Sequence, residues 1–199
     1  MNTLILVDLQ YDFMPGGSLA VPQGDEVVGI ANNLMPQFDL VIATQDWHPT
    51  DHLSFASQHA GQAVGDLIQL DGLPQVLWPD HCIQQTPGAQ LHHSLEQQRI
   101  QHIVQKGTDR TIDSYSGFFD NGKRQATGLG ELLQQHQVDQ VSVMELATDY
   151  CVKFTALDAV RLGLNTQLIL AGCRGVNLQP HDVQQAIEDM RSAGVTILS

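Results

Sequence analysis

The sequence predicts an α/β fold: three layers, with a six-stranded, mostly parallel sheet and helices on both faces. Two observations carry that reading. Short, continuous apolar runs recur along the chain without the alternation of a half-exposed strand, as expected for strands covered on both sides. Between them lie segments whose apolar residues repeat at helical spacing. The chain has 199 residues and is 42% hydrophobic. That suits a single domain over residues 1–199 with a real core.

Residues 4–7 form the first apolar run, ending at the carboxylate of Asp8. Residues 25–38 follow, with Val27, Val28, Ala31, Leu34, Met35 and Phe38 at helical spacing. Residues 40–43 are a second strand, which completes a βαβ unit. A long polar stretch covers about 44–95 and concentrates Trp, Pro and His. A loop that long inside a compact domain is expected to be functional. Strands are then predicted at 103–105, 141–144, 166–171 and 195–198, and helices at 127–137, 150–162 and 181–192, the second stopped by Gly163.

Charge narrows the function. Nine Lys plus Arg stand against 22 Asp plus Glu, a net charge of -13. Such a surface repels phosphate backbones, so no nucleic-acid partner is expected. No apolar run reaches membrane-spanning length, so no membrane partner is expected. The first run is too short for a secretion signal, and three widely spaced cysteines make no disulfide framework. A reducing cytoplasm is the expected location, and a homo-oligomer is left open by the sequence.

Open α/β sheets bind ligands beyond the carboxyl ends of their strands. Asp8 ends the first predicted strand, Asp46 and His48 follow the second, Lys106 ends the third, and Cys151 follows the fourth. Thr148 or Asp149 could cap the following helix and place Cys151 in its first turn. The helix dipole and free amides there would favour a thiolate. Read alone, Cys151 has the alternative of a small buried hydrophobe, the usual fate of a free cysteine. Asp8 is a candidate base and Lys106 a candidate counter-charge, and without Cys151 the two reduce to a buried ion pair. Asp46 and His48 lie on alternate residues and face the same way in an extended segment. His81 could complete a facial metal set, with His52 a further ligand or, in preference, a supporting group; a hydrogen-bonded scaffold is the alternative. Phe13, Leu19, Trp78 and Tyr115 could wall a flat heteroaromatic ring, or simply pack.

Taken together these segments resemble the nicotinamidase/pyrazinamidase group of the isochorismatase-like cysteine hydrolases. The resemblance rests on Asp8-Leu9-Gln10-Tyr11-Asp12-Phe13, Gln45-Asp46-Trp47-His48-Pro49, His52-Leu53-Ser54-Phe55 and Trp78-Pro79-Asp80-His81-Cys82. It continues through Lys106-Gly107, 113–120 and Ala147-Thr148-Asp149-Tyr150-Cys151-Val152. It implies a catalytic triad of Asp8, Lys106 and Cys151. It implies one divalent metal, zinc first and iron or manganese as alternatives, on Asp46, His48 and His81. It also implies a ring site between Phe13, Leu19, Trp78 and Tyr115, and an oxyanion hole from the backbone N–H groups of Ala147 and Cys151 beside a cis peptide at 146–147. The implied reaction is hydrolysis of nicotinamide, and of pyrazinamide, to the acid and ammonia. A related amidase for another small amide or ureido compound, or a ligand-binding homologue without turnover, are the alternatives. Two positions depart from the family pattern: Glu145 stands where relatives usually carry Gly, and Tyr11 where Asn is commoner.

Overall fold

The structure is a computed structural model that describes residues 1–199. In chain order the strands are β1 (Asn2–Val7), β2 (Leu40–Asp46), β3 (Leu67–Leu70), β4 (Leu73–Val76), β5 (His102–Lys106), β6 (Gln140–Leu146), β7 (Asn165–Arg174) and β8 (Thr196–Leu198). The helices are α1 (Glu26–Leu34), α2 (Leu129–Gln135), α3 (Lys153–Arg161) and α4 (Asp182–Ser192). Six strands make one sheet in the order β5-β2-β1-β6-β7-β8, and every neighbouring pair is parallel. This is the sheet the apolar runs predict. The central strand β1 is buried from Thr3 to Val7, which is why its sequence does not alternate.

Strand order and handedness build the layers. The crossover from β1 to β2 runs one way along the sheet, and those from β5 to β6, β6 to β7 and β7 to β8 run the other. Right-handed connections therefore put α1 on one face and α2, α3 and α4 on the other. The chain reverses direction between the neighbours β1 and β6. That reversal opens a crevice beyond their carboxyl ends, where open α/β sheets bind ligands. Asp8 and Ala147 immediately follow those two strands.

Several boundaries differ from the sequence reading. The predicted helix 25–38 is α1 followed by a 3-10 turn, Met35–Gln37. Pro36 lacks the N–H that an α-helical bond would need. The predicted helix 150–162 is a π-helical turn, Thr148–Val152, running into α3. The strand predicted at 166–171 extends to Arg174. The long polar stretch is not wholly loop: β3 and β4 form an antiparallel hairpin. Its turn, Asp71-Gly72, has φ of 50° and 82°, the positive pair a tight hairpin turn demands. No helix is long and apolar enough to cross a membrane.

Candidate active site

Lys106 lies at the centre of the site. It ends β5, pairs across the sheet with Asp46 at the end of β2, and is 1% exposed. Its Nζ contacts Asp46 Oδ1 at 2.5 Å, Asp8 Oδ2 at 2.8 Å, the Ser114 carbonyl at 3.0 Å and Cys151 Sγ at 3.3 Å. The structure thus brings together the three residues of the implied triad, each from a different strand end. Thr44 donates to Asp8 Oδ1 at 2.6 Å. Asp8 Oδ2 faces Lys106 but accepts no aligned hydrogen bond, so it keeps a lone pair for a proton. Gln10 fixes the end of β2 by accepting from the Asp46 N–H at 2.8 Å and donating to the Asp46 carbonyl at 2.7 Å.

Burial sets where the protons rest. Asp8 is wholly buried, and loss of water raises its pKa to about 6 against the opposing pull of Lys106. Burial pushes the Cys151 thiol well above its ordinary value against the pull of Lys106, and Asp8 and Asp46 push the same way as burial. The resting group is therefore a thiol. The sequence reading expected a thiolate from a capped helix start, but no side chain caps the turn and two carboxylates face the sulfur. Burial opposes the charge on Lys106, yet Asp46 and Asp8 hold its pKa well above the usual range. Burial likewise opposes ionisation of Asp46, and Lys106, His48 and His81 together overcome it, keeping that carboxylate charged.

Next to this cluster, Asp46, His48 and His81 bring one ligand atom each to within 4.8 Å of one another. Asp46 Oδ2 is 3.7 Å from His48 Nε2 and 3.9 Å from His81 Nε2. The imidazoles suit a metal. His48 Nδ1 is tied to the Gly107 carbonyl at 2.9 Å and His81 Nδ1 to the Pro79 carbonyl at 2.8 Å. Those bonds fix each Nδ1 as the donor and turn the Nε2 lone pairs toward Asp46. His48 Nε2 is buried with no hydrogen-bond partner. Burial and the neighbouring His48 lower the His81 pKa to about 4, which leaves a neutral ligand ring. Gly107, at φ 65°, is required here because a Cβ would run into the His48 ring. His52 packs against His48 with ring centroids 4.5 Å apart. Its Nδ1 bonds Ser54 at 2.7 Å and its Nε2 reaches the Ile112 carbonyl at 3.4 Å. With Asp113 it forms a second close group that shares His48.

A mostly apolar pocket opens onto Cys151. Phe13, Leu19, Trp78 and Tyr115 line it together with Asp46, His81 and Ala147. Trp78 Nε1 and Gln75 Nε2 both donate to the Tyr115 hydroxyl at 3.0 Å, which locks two walls together. Gln75 and Trp78 lie on β4 and just after it, so the hairpin hidden in the polar stretch builds this wall. The sequence reading missed Asp113, Tyr150 and Val176, which also line the pocket. Tyr150 stands edge-on to Trp78 at 4.8 Å; its place beside Cys151 was the available signal. Val176 sits in a loop after β7 and has none. A larger apolar groove of about 450 Å³ between Phe118, Leu133 and Leu162 lies elsewhere and lacks the ionic cluster.

The peptide between Leu146 and Ala147 is cis, and Ala147 and Cys151 both border the pocket. Glu145 neither crowds the pocket nor reaches solvent. It is 0% exposed, has φ 107°, and neither carboxyl oxygen has a hydrogen-bond partner. Burial raises its pKa well above 4.5, opposed only by Arg174. It is a neutral acid in a backbone conformation that glycine takes without strain.

Known proteins resemble the chain over its whole length. The isochorismatase domain matches residues 2–199. A nicotinamidase of Escherichia coli is 54% identical over 98% of this chain and 93% of its own. A solved nicotinamidase/pyrazinamidase of Acinetobacter baumanii superposes with TM-score 0.97 at 42% identity, covering 100% of this chain and 95% of its own. A pyrazinamidase of Pyrococcus horikoshii, solved in complex with zinc, gives TM-score 0.81 at 36% identity, covering 100% and 98%.

Proposed function

The chain belongs to the isochorismatase domain family, and from that premise we propose that it hydrolyses nicotinamide to nicotinate and ammonia. We read residues 1–199 as one catalytic unit, with pyrazinamide as a second substrate. The observation that carries the mechanism is Lys106 Nζ lying 3.3 Å from Cys151 Sγ and 2.8 Å from Asp8 at the wall of an apolar pocket.

Phe13, Leu19, Trp78 and Tyr115 hold the flat ring with its carboxamide carbon toward Cys151. Asp46, His48 and His81 would hold a divalent ion, zinc first by their one-carboxylate, two-imidazole chemistry. Bound there, the ion supplies a Lewis-acid anchor for the ring nitrogen. Asp8 takes the thiol proton as sulfur attacks the carbonyl carbon. Its raised pKa makes it a stronger base than an exposed aspartate, while Lys106 offsets the charge left on sulfur. The backbone N–H groups of Ala147 and Cys151 receive the developing oxyanion. Asp8 returns the proton to the leaving nitrogen as ammonia departs, leaving a thioester on Cys151. Water, deprotonated by Asp8, then releases nicotinate and restores the thiol. Three free cysteines suit a reducing cytoplasm, where the reaction would serve pyridine nucleotide salvage.

Cys151→Ala tests this directly. Ammonia release from nicotinamide should fall by about 10³-fold or more, while nicotinamide binding measured by calorimetry stays within about threefold of wild type. Turnover at the wild-type rate would refute the nucleophile. Glu145 does not line the pocket, so nothing in the site favours a binding protein without turnover.

A further inference from the structure

Asp149 sits in the turn that carries Cys151, two residues before it, and is 8% exposed. It does not cap that turn. Its Oδ1 accepts the Val176 N–H at 2.9 Å and its Oδ2 accepts the Asn177 N–H at 2.7 Å. Both oxygens therefore grip consecutive amides of the loop after β7. Val176 is the pocket-lining residue of that loop. The grip is extended on the far side. Asn177, at φ 52°, accepts the Val183 N–H of α4 through its Oδ1 at 3.0 Å. Gly175 lets the loop approach this closely: a Cβ there would strike Val183 and lie 3.0 Å from Asp149 Oδ1.

The loop is also tied to α4 at Gln179, whose N–H donates to Asp182 at 2.8 Å, but its hydrogen bonds to the nucleophile's turn all come from Asp149. Charge-assisted bonds to two successive amides hold it more firmly than a single neutral bond would. One end of that link belongs to the nucleophile's own turn and the other to a pocket wall, so one side chain couples the wall directly to the segment that carries the sulfur. We propose that Asp149 is a positioning residue that fixes how deeply Val176 closes over the substrate ring, and so limits the pocket to single-ring carboxamides. The role rests on the amide-hydrolase reading above.

The test compares nicotinamide with the fused-ring quinoline-3-carboxamide in wild type, Asp149→Asn, Val176→Ala and the double variant. Asp149→Asn keeps one good acceptor and turns an NH₂ toward the other amide. Its KM for nicotinamide should rise about tenfold with kcat within about threefold, and the preference for the single ring should narrow. Val176→Ala should narrow it likewise. In the double variant the two effects should not multiply, because Asp149 acts through Val176. Multiplicative effects would overturn the proposal, as would a fall in kcat with KM unchanged. A displaced pH profile of kcat would also overturn it, since that would mean Asp149 acts on the thiol. If Asp149→Asn does not fold, Asp149→Glu keeps both acceptors one methylene further out and must still alter the ring preference. A wild type that releases no ammonia from nicotinamide would refute the activity alone. The clamp is then judged by the calorimetric nicotinamide dissociation constants of the same variants.

Discussion

Two sets of buried carboxyl groups end neighbouring strands of one sheet, and they have opposite fates. Asp8 and Asp46, after β1 and at the end of β2, share the Lys106 ammonium and lie beside a nucleophile. Glu145, near the end of β6 and paired in register with Val7, has no hydrogen-bond partner for either oxygen. The cation that acts on it, Arg174, is already engaged by Glu26 at 2.9 Å and by the Ala171 and Cys173 carbonyls. Burying a carboxylate costs several kcal/mol unless a partner offsets it. Where a partner exists the charge survives and can do chemistry. Where none exists the group keeps its proton and only weakens the fold.

Removing the partner from the first set should produce the largest effect. Lys106→Met keeps the volume and leaves two carboxylates facing each other in the interior. The folded state should lose about 3–5 kcal/mol in urea unfolding, and ammonia release should fall by about 10³-fold or more. Retained activity would show that the ammonium is not needed beside the sulfur, and the contrast with Glu145 would lose its meaning.

Correcting the second set should work in the other direction. Glu145→Gly removes a left-handed φ worth about 1–3 kcal/mol and an unpartnered buried group worth about 1–3 kcal/mol, less the cost of the cavity left behind. A net gain of about 1–3 kcal/mol is expected at neutral pH, read by the same unfolding measurement. A loss of stability instead would mean that the carboxyl has a partner after all.

The same contrast explains what was legible in the sequence. The continuous apolar runs announced the parallel sheet, because a strand covered by helices on both faces needs no polar alternation. Asp8, Asp46, Lys106 and Cys151 could be placed because each follows on such a run, directly or within seven residues, and strand ends of a parallel sheet share one edge. His81 was harder. It lies far from its partners, in a stretch without periodicity, and only the motif around it singled it out. The β3–β4 hairpin was missed although Asp71-Gly72 marks its turn, since four-residue strands with exposed sides give little pattern. The resting thiol and the buried state of Glu145 could not be read at all. Both depend on what surrounds a side chain in space, and periodicity reports only which face it occupies.

A subtler substitution at the same position isolates charge from shape. Glu145→Gln keeps the volume and the strained backbone but has no proton to lose. In wild type the folded state holds the Glu145 proton well above 4.5 while the unfolded chain releases it near that value. Above pH 4.5 the folded state therefore binds more protons, and stability falls as pH rises until the folded group itself ionises. The slope from this one residue is about 1.4 kcal/mol per pH unit. Urea unfolding from pH 5 to 7 should show the variant gaining on wild type with each step, from a contribution of about 1 kcal/mol or less at the acid end. Parallel curves would mean that Glu145 is already charged in the fold, held by Arg174 released from Glu26. The two sets of carboxyls would then differ in function but not in how their burial is offset.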